Sequence, residues 1–282
     1  MRKVLITGAT SGFGKLLVDA FLKNGDFVIA TGRNLNSRKD LFKDERSKYQ
    51  AHFLEIDLDV TNPQQVSSAA EEVSRECGIL DILINNAGHG LFGALEDLEK
   101  EEIRYQMEVN FFGTVDVTRA FLPMLRKSRG KIFNFSSVFG FMGFPLTSLY
   151  CASKYAIEGL TESLRAELAP HGVQVCLIEP GGYRTNFGKN LSWSQKNPDS
   201  IYGLQMKNYR ELHEKVSKKK PQEPNEVSEG LLKLSLKSKL PMRKVYGKDG
   251  LFSYILKNYI PERLYFFIMD NFLKMVLLRK AS

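Results

Sequence analysis

Tyr150 and Lys154 stand four residues apart in the run Tyr150-Cys151-Ala152-Ser153-Lys154, a spacing that sets both on one side of a helix. A free phenol has a pKa of ~10 and gives up its proton reluctantly near neutrality. A neighbouring ammonium stabilises phenolate and lowers that value, which makes Tyr150 an acid toward a carbonyl and a base toward an alcohol. Such pairs occur by chance on many helix faces, so other groups must converge on the same place. Ser137 and its neighbour Ser136 close an apolar run, and a hydroxyl there can hydrogen-bond a substrate oxygen. Asn110 lies in Val109-Asn110-Phe111 inside a long helical pattern. It is a poor helix former among apolar neighbours, and a buried amide needs partners, which points to a water-relay role.

A second constellation suits a phosphate. Thr7-Gly8-Ala9-Thr10-Ser11-Gly12-Phe13-Gly14 follows one apolar run and opens a helical pattern. Glycines permit a tight turn and close backbone approach to a pyrophosphate, while the helix start offers N–H groups and a favourable dipole. Dinucleotide binders that take NAD usually carry an acid ~20 residues further on. This chain has Thr31-Gly32-Arg33-Asn34 instead. Nothing acidic there repels a 2′-phosphate and Arg33 can pair with one, which favours NADP(H) over NAD(H). Asn85-Asn86-Ala87-Gly88 closes another apolar run and reads as a polar turn or as part of the same site.

These groups need a scaffold that brings run ends to one edge. Lys3–Thr7, Phe27–Thr31, His52–Ile56, Ile82–Ile84, Lys131–Phe135, Val173–Ile178 and Arg243–Tyr246 are short and apolar, as expected of strands buried on both faces of a parallel sheet. Helical patterns at Gly14–Asn24, Gln64–Glu76, Lys100–Arg126 (closing near Pro123), Leu149–Ala169 and Asn225–Ser238 separate them. The expected fold is therefore α/β: a single-domain Rossmann fold, a doubly wound parallel sheet of about seven strands with helices on both faces. Ligands of such sheets bind at the carboxyl edge, where the glycine turn and Ser137 both fall. The apolar face Ala156, Ile157, Leu160, Leu164 and Leu168 is either core or a dimer seam.

Together the motifs resemble the short-chain dehydrogenase/reductase family, over about residues 1–190. The resemblance rests on TGxxxGxG at Thr7–Gly14, Asp59-Val60, NNAG at Asn85–Gly88, Asn110, and Ser137 thirteen residues before Tyr150, followed by YxxxK and Pro180-Gly181 with Thr185. It implies that Ser137 polarises a carbonyl and Tyr150 is the acid/base. It further implies that Lys154 also holds the nicotinamide ribose and Asn110 holds a relay water. Asp59 and Val60 would contact adenine, and Thr185 the nicotinamide carboxamide. The cofactor contacts so expected are Gly8, Thr10, Ser11, Gly12, Phe13, Gly14, Arg33, Asp59, Val60, Asn86, Ala87, Gly88, Tyr150, Lys154, Pro180, Gly181, Tyr183 and Thr185. A homodimer or homotetramer is implied as well. The segment Ser137–Pro145, with Phe139, Phe141, Met142 and Phe144, looks like the hydroxysteroid and retinol dehydrogenase branch. Its apolar character points to a lipophilic carbonyl or alcohol, unless these residues pack beneath the adjoining loop.

The rest of the chain bounds the answer. After Pro180 the rhythm breaks, and about 183–225, with Trp193, Tyr202 and Tyr209, reads as a substrate loop containing one or two helices. Residues 1–250 form the expected domain and 251–282 an apolar helical extension, two amphipathic helices around Pro261. That extension covers the pocket or a subunit interface. The alternative is peripheral membrane contact, favoured by Lys257, Arg263, Lys274, Arg279 and Lys280. Three scattered cysteines and four histidines without ligand spacing predict no disulfide framework and no metal. No signal peptide or spanning helix is expected, and the reading is cytoplasmic. The net charge of +8 suits an anionic cofactor, a membrane or nucleic acid alike. The run Lys218–Lys220 reads as a solvated loop face, and no nucleic-acid module is present. Rival readings are a non-catalytic NADP(H) sensor and a membrane-surface scaffold; the joint presence of Asn110, Ser137, Tyr150 and Lys154 favours an active oxidoreductase.

Overall fold

The computed structural model describes residues 1–185, 187–188, 191–194, 199–219 and 222–278, with the backbone alone for 217–219. The Lys218–Lys220 side chains and the terminal cations Arg279 and Lys280 lie outside what is described.

Seven parallel strands form the central sheet: β1 (Lys3–Ile6), β2 (Phe27–Gly32), β3 (Phe53–Asp57), β4 (Ile82–Asn85), β6 (Lys131–Phe135), β7 (Gln174–Pro180) and β9 (Arg243–Tyr246). Their spatial order is β3-β2-β1-β4-β6-β7-β9. The order reverses between β1 and β4, so the crevice for a ligand opens at the carboxyl ends of those two strands. This is the α/β architecture that the alternating runs predict. Two short strands, β5 (Leu91–Phe92) and β8 (Ser192–Trp193), pair in parallel beside it.

Strand alternation sends Val4, Ile6, Val28 and Ala30 to one face and Leu5 and Ile29 to the other, as a pleat with a two-residue period must. Helices α1 (Gly12–Lys23) and α8 (Asn225–Ser235) bring Phe21, Leu22, Val227 and Leu231 to the first face. On the second face α3 (Pro63–Cys77), α5 (Gly113–Ser128) and α6 (Ser148–Leu168) supply Val66, Val73, Val117, Phe121 and Leu168. Local chemistry sets several ends. Asn62 accepts hydrogen bonds from the Gln64 and Gln65 N–H groups ahead of Pro63 at the start of α3, the ordinary cap-then-proline order. Past α6 the chain turns at Gly172 with φ +74°, a conformation that favours glycine.

The remaining helices are α2 (Lys43–Tyr49), α4 (Lys100–Met107), α7 (Gly203–Lys219), α9 (Lys248–Tyr259) and α10 (Glu262–Leu277). Pro261 separates the last two, as the sequence pattern predicts. The expected continuous helix over Lys100–Arg126 differs in two respects. A π turn at Glu108–Phe112 joins α4 to α5, and α5 continues through Pro123 to Ser128. A proline inside a helix costs ~3 kcal/mol; Phe121, Met124 and Leu125, buried around it, offset that cost.

Candidate active site

The first wall is the turn after β1. Gly8 and Gly12 have φ of +64° and +55°, so glycine is required at both. A Cβ on Gly14 would lie 2.2 Å from the Gly8 carbonyl oxygen, and one on Gly8 would lie 2.8 Å from Ala87 Cα. The Thr10 methyl packs where a Gly32 side chain would be. Ser11 starts α1 in extended conformation without a side-chain cap, so the helix start faces the crevice with its N–H groups uncapped by any hydroxyl.

The polar turn after β4 is bonded to this one. Thr7 Oγ1 accepts from the Asn86 and Ala87 N–H groups at 3.0 Å each, and Asn86 Nδ2 donates to the Thr7 and Gly8 carbonyls at 2.9 and 3.1 Å. The Asn86 side chain therefore shapes the glycine turn. Gly88 lies deeper: its Cβ position is 3.7 Å from Asn110 Oδ1 and 3.9 Å from Lys154 Nζ.

The opposite wall follows β7. Gly181 N–H donates to the Tyr246 carbonyl and Gly182 N–H to Asp249 Oδ2, at 2.9 and 2.8 Å. Gln222 braces the same turn, donating to the Gly182 carbonyl and to Asp249. Sequence reasoning missed Asp249 and Gln222, since their partners are backbone groups brought close only by folding. Tyr183 donates to Glu226 at 2.8 Å and meets the Phe13 ring edge-on, and Phe13 in turn contacts Phe135. Thr185 sits 3.6 Å from the Gly12 Cβ position, so the two walls meet there.

Toward the β2 end, Arg33 is mostly exposed, donates to the Tyr105 hydroxyl at 2.6 Å and lies 4.0 Å from Asp59. Asp59 accepts from the Thr61 N–H and hydroxyl. Val60 is buried and packs against α5 at Gly113, so the structure gives it a core contact.

Helix α6 carries Tyr150 and Lys154 on its inward face; both are buried. The Tyr150 ring lies 5.9 Å from Phe92, 6.0 Å from Phe139 and 5.9 Å from Phe187. Ser137 follows β6 and accepts the Phe139 N–H at 3.2 Å. Lys154 Nζ is 5.8 Å from the Tyr150 ring centroid and donates to the Phe135 carbonyl at 2.8 Å. Burial raises the Tyr150 phenol above its ordinary range, against a hydrogen bond with Ser137 that favours phenolate. Burial also pushes Lys154 down to about 8, against the Glu158 charge. The sequence argument has Lys154 lowering the tyrosine pKa; in the structure desolvation dominates and raises it, with Ser137 as the opposing partner. Burial thus keeps the phenol protonated near neutrality, the form that reduction of a carbonyl requires.

Asn110 sits in the π turn, a feature frequent at functional sites. Its Oδ1 accepts the His89 N–H at 2.7 Å, and its Nδ2 donates to the His89 carbonyl at 2.9 Å and to Ser153 at 3.0 Å. The side-chain amide is thus occupied by protein groups and locks the turn after β4 to α6. The fold brings Asn110, Ser137, Tyr150 and Lys154 to one place beside the glycine turn. Among the described residues no cluster of His, Cys, Asp and Glu could hold a metal ion, and no helix is long and apolar enough to cross a membrane.

Comparison with known proteins agrees with this geometry. A family model described as short chain dehydrogenase matches residues 2–196. A 3-ketodihydrosphingosine reductase of Bacteroides thetaiotaomicron is 42% identical over 193 residues, covering 68% of each chain. An NADPH-dependent 3-dehydrocapnine reductase of Ornithobacterium rhinotracheale is 36% identical over 211 residues, covering 72% of this chain and 73% of that protein. A crystal structure of a short-chain dehydrogenase from Streptomyces avermitilis superposes with a TM-score of 0.80 at 34% identity, covering 90% of this chain and 91% of that one. These likenesses do not single out the hydroxysteroid and retinol branch that the segment before Tyr150 suggests. A family match over more than half the chain, together with the parallel sheet and the site at its carboxyl edge, shows that this chain belongs to the short-chain dehydrogenase/reductase family of oxidoreductases.

Proposed function

We propose that the protein is an NADP(H)-dependent oxidoreductase that interconverts a carbonyl and an alcohol on a lipophilic molecule, with Tyr150 as acid/base. The observation that carries this reading is the position of Tyr150: a buried phenol beside the glycine turn, walled by Phe92, Phe139 and Phe187.

The residues present fit a dinucleotide. Backbone occupies the space a Cβ would fill at Gly8 and Gly14, and the start of α1 has no side-chain cap. Arg33 at the end of β2 would be available to pair with a 2′-phosphate, and the Thr31–Asn34 run holds no acid to oppose it. When bound, the nicotinamide supplies or accepts a hydride. Ser137 orients the substrate oxygen, and Tyr150 delivers the proton during reduction or removes it during oxidation. Lys154 holds a positive charge beside the phenol and would donate to the ribose hydroxyls of a bound dinucleotide. Asn110 fixes the turn that carries Gly88.

The rings beyond Tyr150 favour an apolar substrate. Phe92 contacts Trp193 and Tyr209, and Phe144 contacts Tyr209; such walls bind mainly by apolar contact. The two reductases similar to this chain, one of 3-ketodihydrosphingosine and one of 3-dehydrocapnine, make ketones on such lipids the first substrates to try, ahead of steroid and retinoid carbonyls.

The test follows NADPH and NADH absorbance with 3-ketodihydrosphingosine and with steroid, retinoid and short aliphatic carbonyls, for the wild type and Tyr150→Phe. Turnover on a long-chain ketone by the wild type, lost by at least ~100-fold in a variant that still binds NADPH, is the expected result. Undiminished turnover in Tyr150→Phe would overturn the assignment of the acid/base.

A further inference from the structure

Helix α10 has two apolar faces. Its inner face buries Tyr265 and Met269 against Phe141 and Met142, while Leu277 joins the cluster that contains Phe92 and Tyr150. The tail therefore covers the substrate segment. Its outer face carries Leu264, Phe267, Ile268 and Met275, and Phe267 and Met275 are 66% and 67% exposed. Helix α9 adds Leu251, Phe252, Ile255 and Tyr259 on a single exposed face, the positions one, four and eight residues apart that share a helix side. Scattered exposed apolar residues are ordinary; a continuous patch of large ones across two successive helices marks a contact surface. Among the described residues, the inner face of α10 is buried by this chain and its outer apolar face is not.

Charge identifies the occupant. The exposed face of α9 contains no acid and begins at Lys248; Asp249 is turned inward onto Gly182. Arg263 and Lys274 share one flank of α10 with Asp270, and Glu262 opens the helix; over Lys248–Lys280 six cations stand against three acids. Lys257 lies over the Tyr265 and Phe266 rings at 4.5 and 5.2 Å. Anionic headgroups attract a chain with net charge +8 and a basic tail. With 12 and 16 residues, the helices are long enough to lie on a bilayer and too short to cross one.

We infer that the outer faces of α9 and α10 dock onto an anionic lipid bilayer, apolar side chains inserted below the headgroups and the cations of the α10 flank at headgroup level. A groove of about 490 Å³ lined by Leu146, Tyr202 and Leu277 lies beside the end of α10. The docking itself does not depend on the catalytic reading, and its test reads binding alone.

The full chain is floated with phosphatidylcholine vesicles, with and without phosphatidylglycerol, at low and at physiological salt. The triple variant Phe252→Gln, Phe267→Gln, Met275→Gln is run beside it, with its fold checked by circular dichroism. All three side chains are exposed, so folding should be unaffected. The expected result is flotation that requires phosphatidylglycerol, weakens with salt and falls by at least ~100-fold in the variant. Equal flotation of the two proteins would overturn the proposal, since the patch would then not be the contact. No flotation at low salt would overturn it as well; if light scattering then shows a dimer that the variant loses, the occupant is a second copy.

Discussion

Asn110, in the π turn between α4 and α5, donates from Nδ2 to Ser153 Oγ at 3.0 Å, and Ser153 donates to the Tyr150 carbonyl at 2.8 Å. One amide thus ties the His89 backbone to the helix turn that holds Tyr150 and Lys154. Asn110→Ala leaves the His89 N–H without its acceptor, while the His89 carbonyl keeps its hydrogen bond from Gln106. Stranding one such group costs about 1–3 kcal/mol, so the variant should lose about that much in urea unfolding. Ser153→Ala, which removes a single partner, should lose about 1 kcal/mol. Equal stability of Asn110→Ala and wild type would show that the amide does not hold the turn.

Lys154 predicts a rise of stability in alkali. Its pKa is pushed to about 8 by burial, below the ~10.4 of an exposed lysine. Between those values the unfolded chain binds a proton that the folded chain does not, so stability increases with pH across that window and is lost again as pH falls through about 8. Lys154→Met removes the titration and the buried charge. Its unfolding free energy should be higher than the wild type's near pH 7 by about 1–3 kcal/mol, after allowance for the lost bond to Phe135, and the difference should shrink toward pH 10. Denaturation at a series of pH values checks this. A constant difference would place the lysine's effect in packing alone.

The pair Glu158 and Glu179 predicts the opposite slope at lower pH. Glu179 is fully buried at the end of β7, Glu158 lies close by, and burial raises the pKa of both carboxyls. Arg243 reaches Glu179 at 3.2 Å, Glu158 at 3.5 Å and Glu162 at 2.8 Å. Burial and the Glu158 charge raise Glu179 to about 8, against ~4.3 in an exposed chain. The folded state then keeps a proton that the unfolded state has lost, so stability is present in full below the exposed value and falls as pH rises through about 8. Glu179→Gln retains a donor toward Glu158 without the titration, and its stability should be flatter than the wild type's between pH 5 and 8. A parallel pair of curves would refute the raised pKa of Glu179.

The sheet was legible because its strands are buried on both faces and therefore read as continuous apolar runs. The start of α3 was legible because Asn62 and Pro63 act locally. The π turn was not, because nothing in Val109-Asn110-Phe111 specifies its wider spacing; the partners of Asn110 at His89 and Ser153 are distant in sequence. The pairing of Leu91-Phe92 with Ser192-Trp193 escaped for a related reason: two-residue strands have no period to detect, and their partners lie far apart in the chain. Motif matching placed Asn86 at the site but not its bonds to Thr7 and Gly8. The direction of the Tyr150 shift required the burial of the ring, which spacing alone does not report.

Arg33 tests the cofactor preference in a way that separates it from catalysis. Its guanidinium donates to Tyr105 at 2.6 Å and approaches Asp59 at 4.0 Å, so it is held near the β2 end while most of its surface stays open to solvent. A phosphate there gains a charge-assisted and possible bidentate contact that a hydroxyl does not. Arg33→Ala should raise the KM for NADPH by about 10- to 100-fold and change that for NADH by less than about threefold, with kcat at saturating cofactor little altered. Tyr105→Phe removes only the hydroxyl that steadies the arginine, and its effect should be in the same direction and several-fold smaller. If Arg33→Ala weakened both cofactors alike, Arg33 would be supporting the turn after β2 instead of recognising the 2′-phosphate, and the preference for NADP(H) would have to rest on the missing acid alone.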